Sequence, residues 1–264
     1  MNTCFATCIS KKFLMNDEQV LHLLKFMPQK IKKGRPKSEP LAILQGIFYL
    51  LKTGCQWNAL PKCFGPSSTI HEHFQRLVKT DFFAQAWHHA LEKYDRFIGL
   101  NLQNQSFDCS HAKAPLGGQE TGLSPVDRRK LGTKKALLID KNGIPLAINL
   151  FAGNTHDSKT FISTIANQIY SRILPFKTIE LDAAFDASFI RKYLASRGYS
   201  FRISCNKRRN QISQKVNLKF RWGVERTFSW ITRFRRLLIR WDKLANNHLA
   251  LLQFACQIIV LRKI

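Results

Sequence analysis

An α/β (α+β) protein, helical in its first part and built on a mixed sheet in its second, is predicted by three observations. Before residue 100, apolar residues recur at helical spacing. After residue 105, apolar runs of strand length alternate with helical segments. An Asn-Gly pair at 142–143 stands between two apolar runs, a strong short-range hairpin signal. The 264-residue chain is 45% hydrophobic with 20 Phe and 5 Trp, enough for a core, and this excludes a disordered basic tail. The length suits one large domain or two small ones. The change of pattern divides the chain into 1–100 and 101–264.

Charge narrows the function. Lys and Arg total 42 against 17 Asp and Glu, a formal net charge of +25. A folded chain this basic calls for a polyanionic partner, and nucleic acid is the usual one. The longest apolar runs are too short to span a bilayer, so no membrane partner is expected. The first residues lack a basic stretch ahead of an apolar one, so no secretory signal is expected. Seven Cys without a CxxC pair support neither a zinc cluster nor a disulfide framework. The expected compartment is the cytoplasm.

Residues 17–27 read as a helix with Val20, Leu23, Leu24 and Met27 on one face. A basic Gly/Pro-punctuated linker with Arg35 follows at 31–40. Ser38 then reads as the N-cap of an apolar helix, with Glu39 and Pro40 in its first turn and Gly54 at its end. Thr69 and Glu72 have capping-box spacing and would open a helix with Ile70, Phe74 and Leu77 inward. An aromatic-rich helix covers 81–98. Short helices with a basic lead-in suit a helix-turn-helix DNA-binding domain or a plain packing module. Helix 69–79, with His71, Glu72, Gln75 and Arg76 outward, is the recognition candidate. His71, His73, His88 and His89 read as surface residues, because no carboxylate or Cys at ligand spacing completes a metal site.

In the second part QSFDCSHA reads as a strand carrying Asp108. A Gly-rich excursion, too turn-rich to be regular, leads to KKALLID and IPLAINLFAG, the arms of the hairpin. A helix from THDS, capped by Asp157 or Ser158, precedes the strand TIELD ending at Asp182. A helix (ASFIRKYLASRG), a strand (YSFRIS), a long basic helix around RWGVERTFSWITRFRRLLI and a last helix, 245–262, complete the chain. This order is that of a ribonuclease-H-like fold. There Asp108 lies on the central strand and Asp182 ends its parallel neighbour. The two carboxylates would then be close enough to share divalent metals.

A Glu from a following helix, Glu225, can complete such a cluster. Two Mg²⁺ ions about 3.5–4 Å apart activate a nucleophile and stabilise the leaving oxygen in such sites, and carboxylate oxygens are the ligands Mg²⁺ prefers. Each acid has a plainer alternative. Asp108 can be a turn acid ending a strand. Asp182 and Asp186 compete for one role, the other capping the next helix. Glu225 can form an ordinary ion pair with Arg221 one turn earlier. Trp222 and Trp230 read as core.

These residues carry a family resemblance. The chain resembles the DDE transposases of bacterial insertion sequences, IS-five group, over roughly residues 34 to 262. The helical part does so at GRPKSEPLAILQGIFYLLKTGCQWNALPKCFGPSSTIHEHFQRL. The second part does so at FDCSHAKAPLGGQETGLSPVDRRKLGTKKALLID, at AGNTHDSKTF and at RWGVERTFSWITRFRRLLIRW. The combination of GCQW, LP and FGP with VERTFSW and RFRRL is specific.

The resemblance implies a transposase that cleaves and transfers DNA strands at the terminal inverted repeats of its own element. By motif, Asp108, Asp182 and Glu225 match the three catalytic, metal-binding acids. Arg221 matches the Arg of the Tyr/Arg/Glu/Lys signature, expected on DNA phosphate as a guanidinium fork suits. Arg233, Arg235, Arg236, Arg35 and Arg76 are the further DNA-binding candidates. Mg²⁺ is the expected cofactor, with Mn²⁺ substituting. The expected partners are double-stranded DNA, as inverted repeats and target, and a second copy in a homodimer on DNA. The expected location is the cytoplasm, at the nucleoid.

Three features depart from the family pattern. Leu218 stands at the signature Tyr, and Thr232 at the Lys, with Arg233 next to it. Ser67 stands where relatives carry an aromatic. Ala184-Phe185 stands where relatives carry Gly and an aromatic after the second Asp. If that Gly needs positive φ, Ala184 would cost about 1 kcal/mol and displace Asp182. This keeps open an inactive, transposase-derived protein that only occupies element ends. A ribonuclease-H-like nuclease without strand transfer is the other rival.

Overall fold

The computed structural model describes residues 9–27, 39–125, 127–172, 174, 176–204 and 222–264. Arg35, Ser38, Arg221 and Leu218 lie outside the described residues. The helical part comprises α1 (Asp17–Leu24), α2 (Pro40–Thr53), α3 (Ser67–Lys79) and α4 (Phe82–Phe97). A reciprocal capping box opens α1. The Asn16 side chain accepts from Gln19 N at 2.9 Å, and Gln19 Oε1 accepts from Asn16 N at 3.2 Å. Proline starts α2 and Gly54 at φ 74° ends it. The N-cap position of α2 is Glu39, which makes no side-chain cap bond. Buried on nearly every side, α2 is tied to the preceding segment by Gln45, whose amide bonds Met15 N and O at 2.9 and 3.2 Å.

The expected capping box at Thr69 and Glu72 does not form. α3 begins two residues earlier, after Pro66, because Pro66 O already accepts from Ile70 N at 3.1 Å. Glu72 pairs instead with Arg76 one turn on, while Ile70, Phe74 and Leu77 are buried as expected.

The sheet holds β1 (Asn104–Lys113), β2 (Gly122–Leu123), β3 (Leu131–Asp140), β4 (Pro145–Ala152), β5 (Lys177–Leu181) and β6 (Tyr199–Ile203). β1 is central, antiparallel to β3 and parallel to β5. β4 is antiparallel to β3, and β6 parallel to β5. The order β4-β3-β1-β5-β6 is that of a ribonuclease-H-like sheet. β2, within the excursion expected to be irregular, pairs with Leu131 and Gly132 and extends the edge where β4 stops. Helices α5 (Asp157–Ala166) and α6 (Ser188–Ser196) connect the strands, and α7 (Trp222–Thr232) and α8 (Ala245–Leu261) follow.

The β3–β4 turn differs in type from a two-residue Asn-Gly hairpin. Only Gly143 has positive φ, at 84°. Gly143 N donates to Asp140 O and Asp140 N to Ile144 O, at 3.1 and 3.0 Å, a type I turn closed by one glycine. The fully buried Asp140 carboxylate accepts from Ile144, Asn142 and Asn101 N at 2.8, 2.9 and 3.1 Å. Burial nevertheless raises Asp140 to about 6, against the lowering by those N–H groups.

One buried core runs from the helical part into the sheet. α8 packs against α4 and β4, and Phe254 meets Phe83 and Phe48 at 5.2 and 6.1 Å. The long basic helix expected up to residue 240 ends at Thr232, and a short 3-10 turn, Arg235–Leu237, follows. Beyond it Arg240, 1% exposed, uses all five donors. They reach Asp242 O at 2.9 Å, Glu120 O and Thr133 Oγ1 at 3.1 Å, Gln119 O at 2.5 Å and Lys243 O at 3.3 Å. This guanidinium fastens the 119–120 segment and the 242–243 segment to the sheet.

Two outcomes are expected. Arg240→Met leaves several buried carbonyls without donors and lowers unfolding free energy by about 2–4 kcal/mol in urea titration. For Asp140, a folded-state pKa above the unfolded one means stability present below about pH 4 and lost as pH rises through about 6. In denaturant titrations from pH 4 to 7, the wild type should therefore lose on the order of 2–3 kcal/mol relative to Asp140→Asn.

Candidate active site

The paired register of β1 and β5 runs Asn104 to Thr178, Gln105 to Ile179 and Ser106 to Glu180. Continued by two residues, it leads to Asp108 and Asp182. Neighbouring strands lie about 4.8 Å apart, and residues in register share a face. Asp108 and Asp182 each follow the last paired residues, Ser106 and Glu180, by two positions, and both are half-buried. The register agrees with the element order from which the pair of carboxylates was expected.

Which face they share follows from Ile139, the partner of Ser106. A Cβ on Gly223 of α7 would lie 3.1 Å from Ile139 Cδ1, so α7 covers the face of Ser106 and Asp108. α7 packs on both β1 and β3. It is held by Thr227 Oγ1 donating to Gly143 O at 2.7 Å and by Arg226 Nη2 donating to Asn142 O at 2.8 Å. Glu225 lies in its first turn and is exposed, between inward-facing Val224 and Thr227. Lys135, also on this face opposite Ser110, is buried, and burial pulls its amine down to about 8.

Asp182 heads a 3-10 turn, Ala183–Phe185, and its Oδ1 accepts from Ala183 N at 2.7 Å. Phe185 is buried against Phe107 at 5.1 Å. Ala184 is exposed and is not among the residues with positive φ. Alanine is therefore unstrained there. Asp186 takes a different part from Asp182, pairing with Arg191 Nη2 at 2.7 Å.

The opposite face of β1 carries the GNTHDS motif. Lys134, its side chain 4% exposed, donates to Asp157 and to Thr155 O. The α5 N-cap is His156 rather than Asp157 or Ser158, its Nδ1 accepting from Ser158 N at 3.3 Å. Cys109 contacts Thr160 Oγ1 at 3.2 Å, and burial pushes its thiol up to about 12, so it is an inert packing residue. Nothing in the sequence reading singled out the Lys134–Asp157 pair. A lysine inside a strand otherwise rich in apolar residues was its signal.

Among the described residues, the one set of three or more His, Cys, Asp or Glu ligand atoms within 4.8 Å of one another is His88, His89 and Glu92. Two points follow. Glu92 supplies the carboxylate that the sequence reading found missing beside those histidines, with His89 Nδ1 at 2.7 Å and His88 Nδ1 at 3.7 Å. And Glu225 does not close with Asp108 and Asp182 to that distance.

The basic candidates divide. Arg233 and Arg235 are exposed. Arg76 is exposed but paired with Glu72. Arg236 corrects its expectation as a DNA contact, being 5% exposed and held by Asp242 Oδ1 at 2.9 Å. The break in the helix after Thr232 turns it inward. Trp222 corrects the core expectation, being 59% exposed beneath Arg226 at 4.2 Å, whereas Trp230 is half-buried against the core.

The strand order, with Asp108 on the central strand and Asp182 at the end of its parallel neighbour, defines the class as ribonuclease-H-like. The chain belongs to the DDE transposases. Residues 106–259, more than half of it, match the model described as a transposase DDE domain, and residues 15–87 match a putative transposase of the IS4/5 family. A putative transposase for insertion sequence element IS402 from Burkholderia cepacia is 32% identical over 154 residues, covering 54% of this chain and 69% of that protein. Among solved structures, a Mos1 mariner paired end complex with Mn aligns at 10% identity, covering 93% of this chain and 86% of that one, with a TM-score of 0.31. A pre-cleavage Mos1 transpososome aligns at 10% identity, covering 89% and 82%, with a TM-score of 0.29. The fold assignment rests on strand order rather than on these structural likenesses. No helix is long and apolar enough to cross a membrane among the described residues.

Because Ala184 is unstrained, Ala184→Gly is expected to lower stability by about 0.5–1 kcal/mol through the unfolded chain. DNA cleavage should be no higher than in wild type when the two are assayed together.

Proposed function

We propose that this transposase cleaves DNA at the terminal inverted repeats of its element and transfers the freed strand ends to target DNA. The observation that carries the reading is the parallel β1–β5 register, which leads two positions on to Asp108 and Asp182, on a sheet whose face is covered by the helix of Glu225. Two neighbouring carboxylates are oxygen donors of the kind a hard divalent cation takes, so the site fits Mg²⁺, with Mn²⁺ substituting. Asp108 and Asp182 would hold the metal and Glu225 would complete the set from α7. Bound there, the metal supplies activation of a water or 3′-hydroxyl and stabilisation of the leaving oxygen.

The protein's own residues arrange the rest. β1 and β5 hold the aspartates in register, and the β3–β4 turn holds α7 through Thr227 and Arg226. Residues 1–100 form the helical DNA-binding part and 101–264 the catalytic part. Exposed Arg233 and Arg235 contact DNA phosphate, as do Arg76, Arg35 and Arg221. The partner is double-stranded DNA, bound by a homodimer that brings two ends together, in the cytoplasm at the nucleoid. The inactive alternative leaned on strain at position 184, which the turn geometry does not support.

The test is cleavage of a labelled element end with Mg²⁺, wild type beside Asp108→Asn and Glu225→Gln. Cleavage should vanish in both variants while end binding persists. Equal loss of binding in Asp108→Asn would make that residue structural. Joined products with target DNA separate a transposase from a nuclease without strand transfer. With about 6–10 phosphate contacts, wild-type affinity should fall about 10³–10⁵-fold between roughly 50 and 200 mM salt.

A further inference from the structure

Two cations from distant parts of the chain sit over one aromatic ring, and two more flank that ring in sequence. Phe234, 1% exposed, lies just after the end of α7. Lys52, from the last turn of α2, places Nζ 5.4 Å from the ring centroid. Arg262, the C-cap residue of α8, places Cζ 5.8 Å from it. Arg233 and Arg235 flank Phe234 in sequence. The backbone here is close-packed, since a Cβ on Gly54 would lie 3.1 Å from Arg235 C. None of the four has an acidic partner in the ion pairs among the described residues.

The four feel one another. Lys52 is held below the ordinary amine range by burial first, then by Arg262, Arg233 and Arg235. Arg262 is lowered by burial and then by Arg233. The ends of two helices favour a cation each, and the ring face attracts them, but neither accounts for four like charges at one place. The packing holds them there, and a multivalent anion relieves their repulsion. On a chain of net charge +25, the anion with charges at regular close spacing is a nucleic-acid backbone.

We propose that Lys52, Arg233, Arg235 and Arg262 form one seat for consecutive phosphates of double-stranded DNA, bridging the helical part and the C-terminal end of the chain. This rests on the reading of the chain as a DNA-processing enzyme and adds Lys52 and Arg262, from α2 and α8, to its DNA-facing surface. The seat serves backbone binding, not base recognition, because it presents only cations.

The test compares the full-length wild type, Lys52→Gln/Arg262→Gln and Arg233→Gln/Arg235→Gln, with Lys192→Gln as an exposed cation outside the seat. Binding to a labelled random-sequence duplex is measured across salt without divalent metal, alongside thermal melting. Each double variant should bind more weakly and show a salt slope shallower by about two, since each phosphate-neutralising cation adds about 0.9 to the slope. Its melting temperature should hold or rise as repulsion is removed, and Lys192→Gln should behave as wild type. Unchanged affinity and slope in both double variants would overturn the seat. So would a drop in affinity accompanied by a fall in melting temperature, or an equal slope change in Lys192→Gln. Wild-type cleavage is read separately, so an enzyme that cleaves normally while its variants keep the wild-type slope sinks the seat alone.

Discussion

The parallel pairing of β1 with β5 is the constraint on which the rest of this molecule depends. A strand pair has a side-chain period of two, so a slip of one residue would turn Asp182 to the opposite face from Asp108. The register is pinned from both sides. Phe107, between the polar residues of β1, sits against Phe161 and Phe185 at 5.0 and 5.1 Å, and Phe185 belongs to the turn that Asp182 heads. On the other side the nine-residue ladder with β3 fixes β1 in place. The aspartates are thus positioned by apolar packing on the face away from them.

Polar groups inside the fold act as fasteners at chain crossings. Gln45 ties α2 to the segment before α1, Lys134 ties β3 to the start of α5, and Arg240 ties two loops to the sheet. Each makes directional bonds to backbone or to an acid, the condition under which a buried polar group is tolerated. The C-terminal helix adds the apolar counterpart. By packing on α4 and β4 it joins the helical part to the sheet in one core, so the two parts hold a fixed relation although a break in pattern near residue 100 separates them in sequence.

Positive charge has two fates in this chain. Arg236 and Arg240 are drawn into the interior, where Asp242 and backbone carbonyls absorb them. Arg233 and Arg235, a few residues away, remain outside beside Lys52 and Arg262. An arginine-rich segment read as one continuous basic face is in fact a helix end, a tight turn and a buried anchor. The difference arises because α7 stops at Thr232 and the chain must cross back to β1, where Arg240 N bonds Lys113 O at 2.8 Å.

Much was legible in the chain alone. Period-two and period-3.6 apolar patterns are local, so the element order, the hairpin around Asn142-Gly143, and the placing of Asp108 on a strand and Asp182 at the end of one could be read from residues 105–182; Asp108 lies in mid-strand rather than near an end. Element starts were read less well: α2 and α3 start after Glu39 and Pro66 without a side-chain cap, and α5 is capped by the His156 ring in place of Asp157 or Ser158. Three-dimensional packing settled what no local pattern contains. It paired Ser106 with Glu180, assigned Asp186 to Arg191, left Ala184 unstrained, sent Arg236 inward and Trp222 outward, and brought Lys52 to Arg262. Each of these depends on which distant segments meet. Long-range pairing is decided by how the whole apolar surface is buried at once, and one stretch of sequence carries only its own share of that surface.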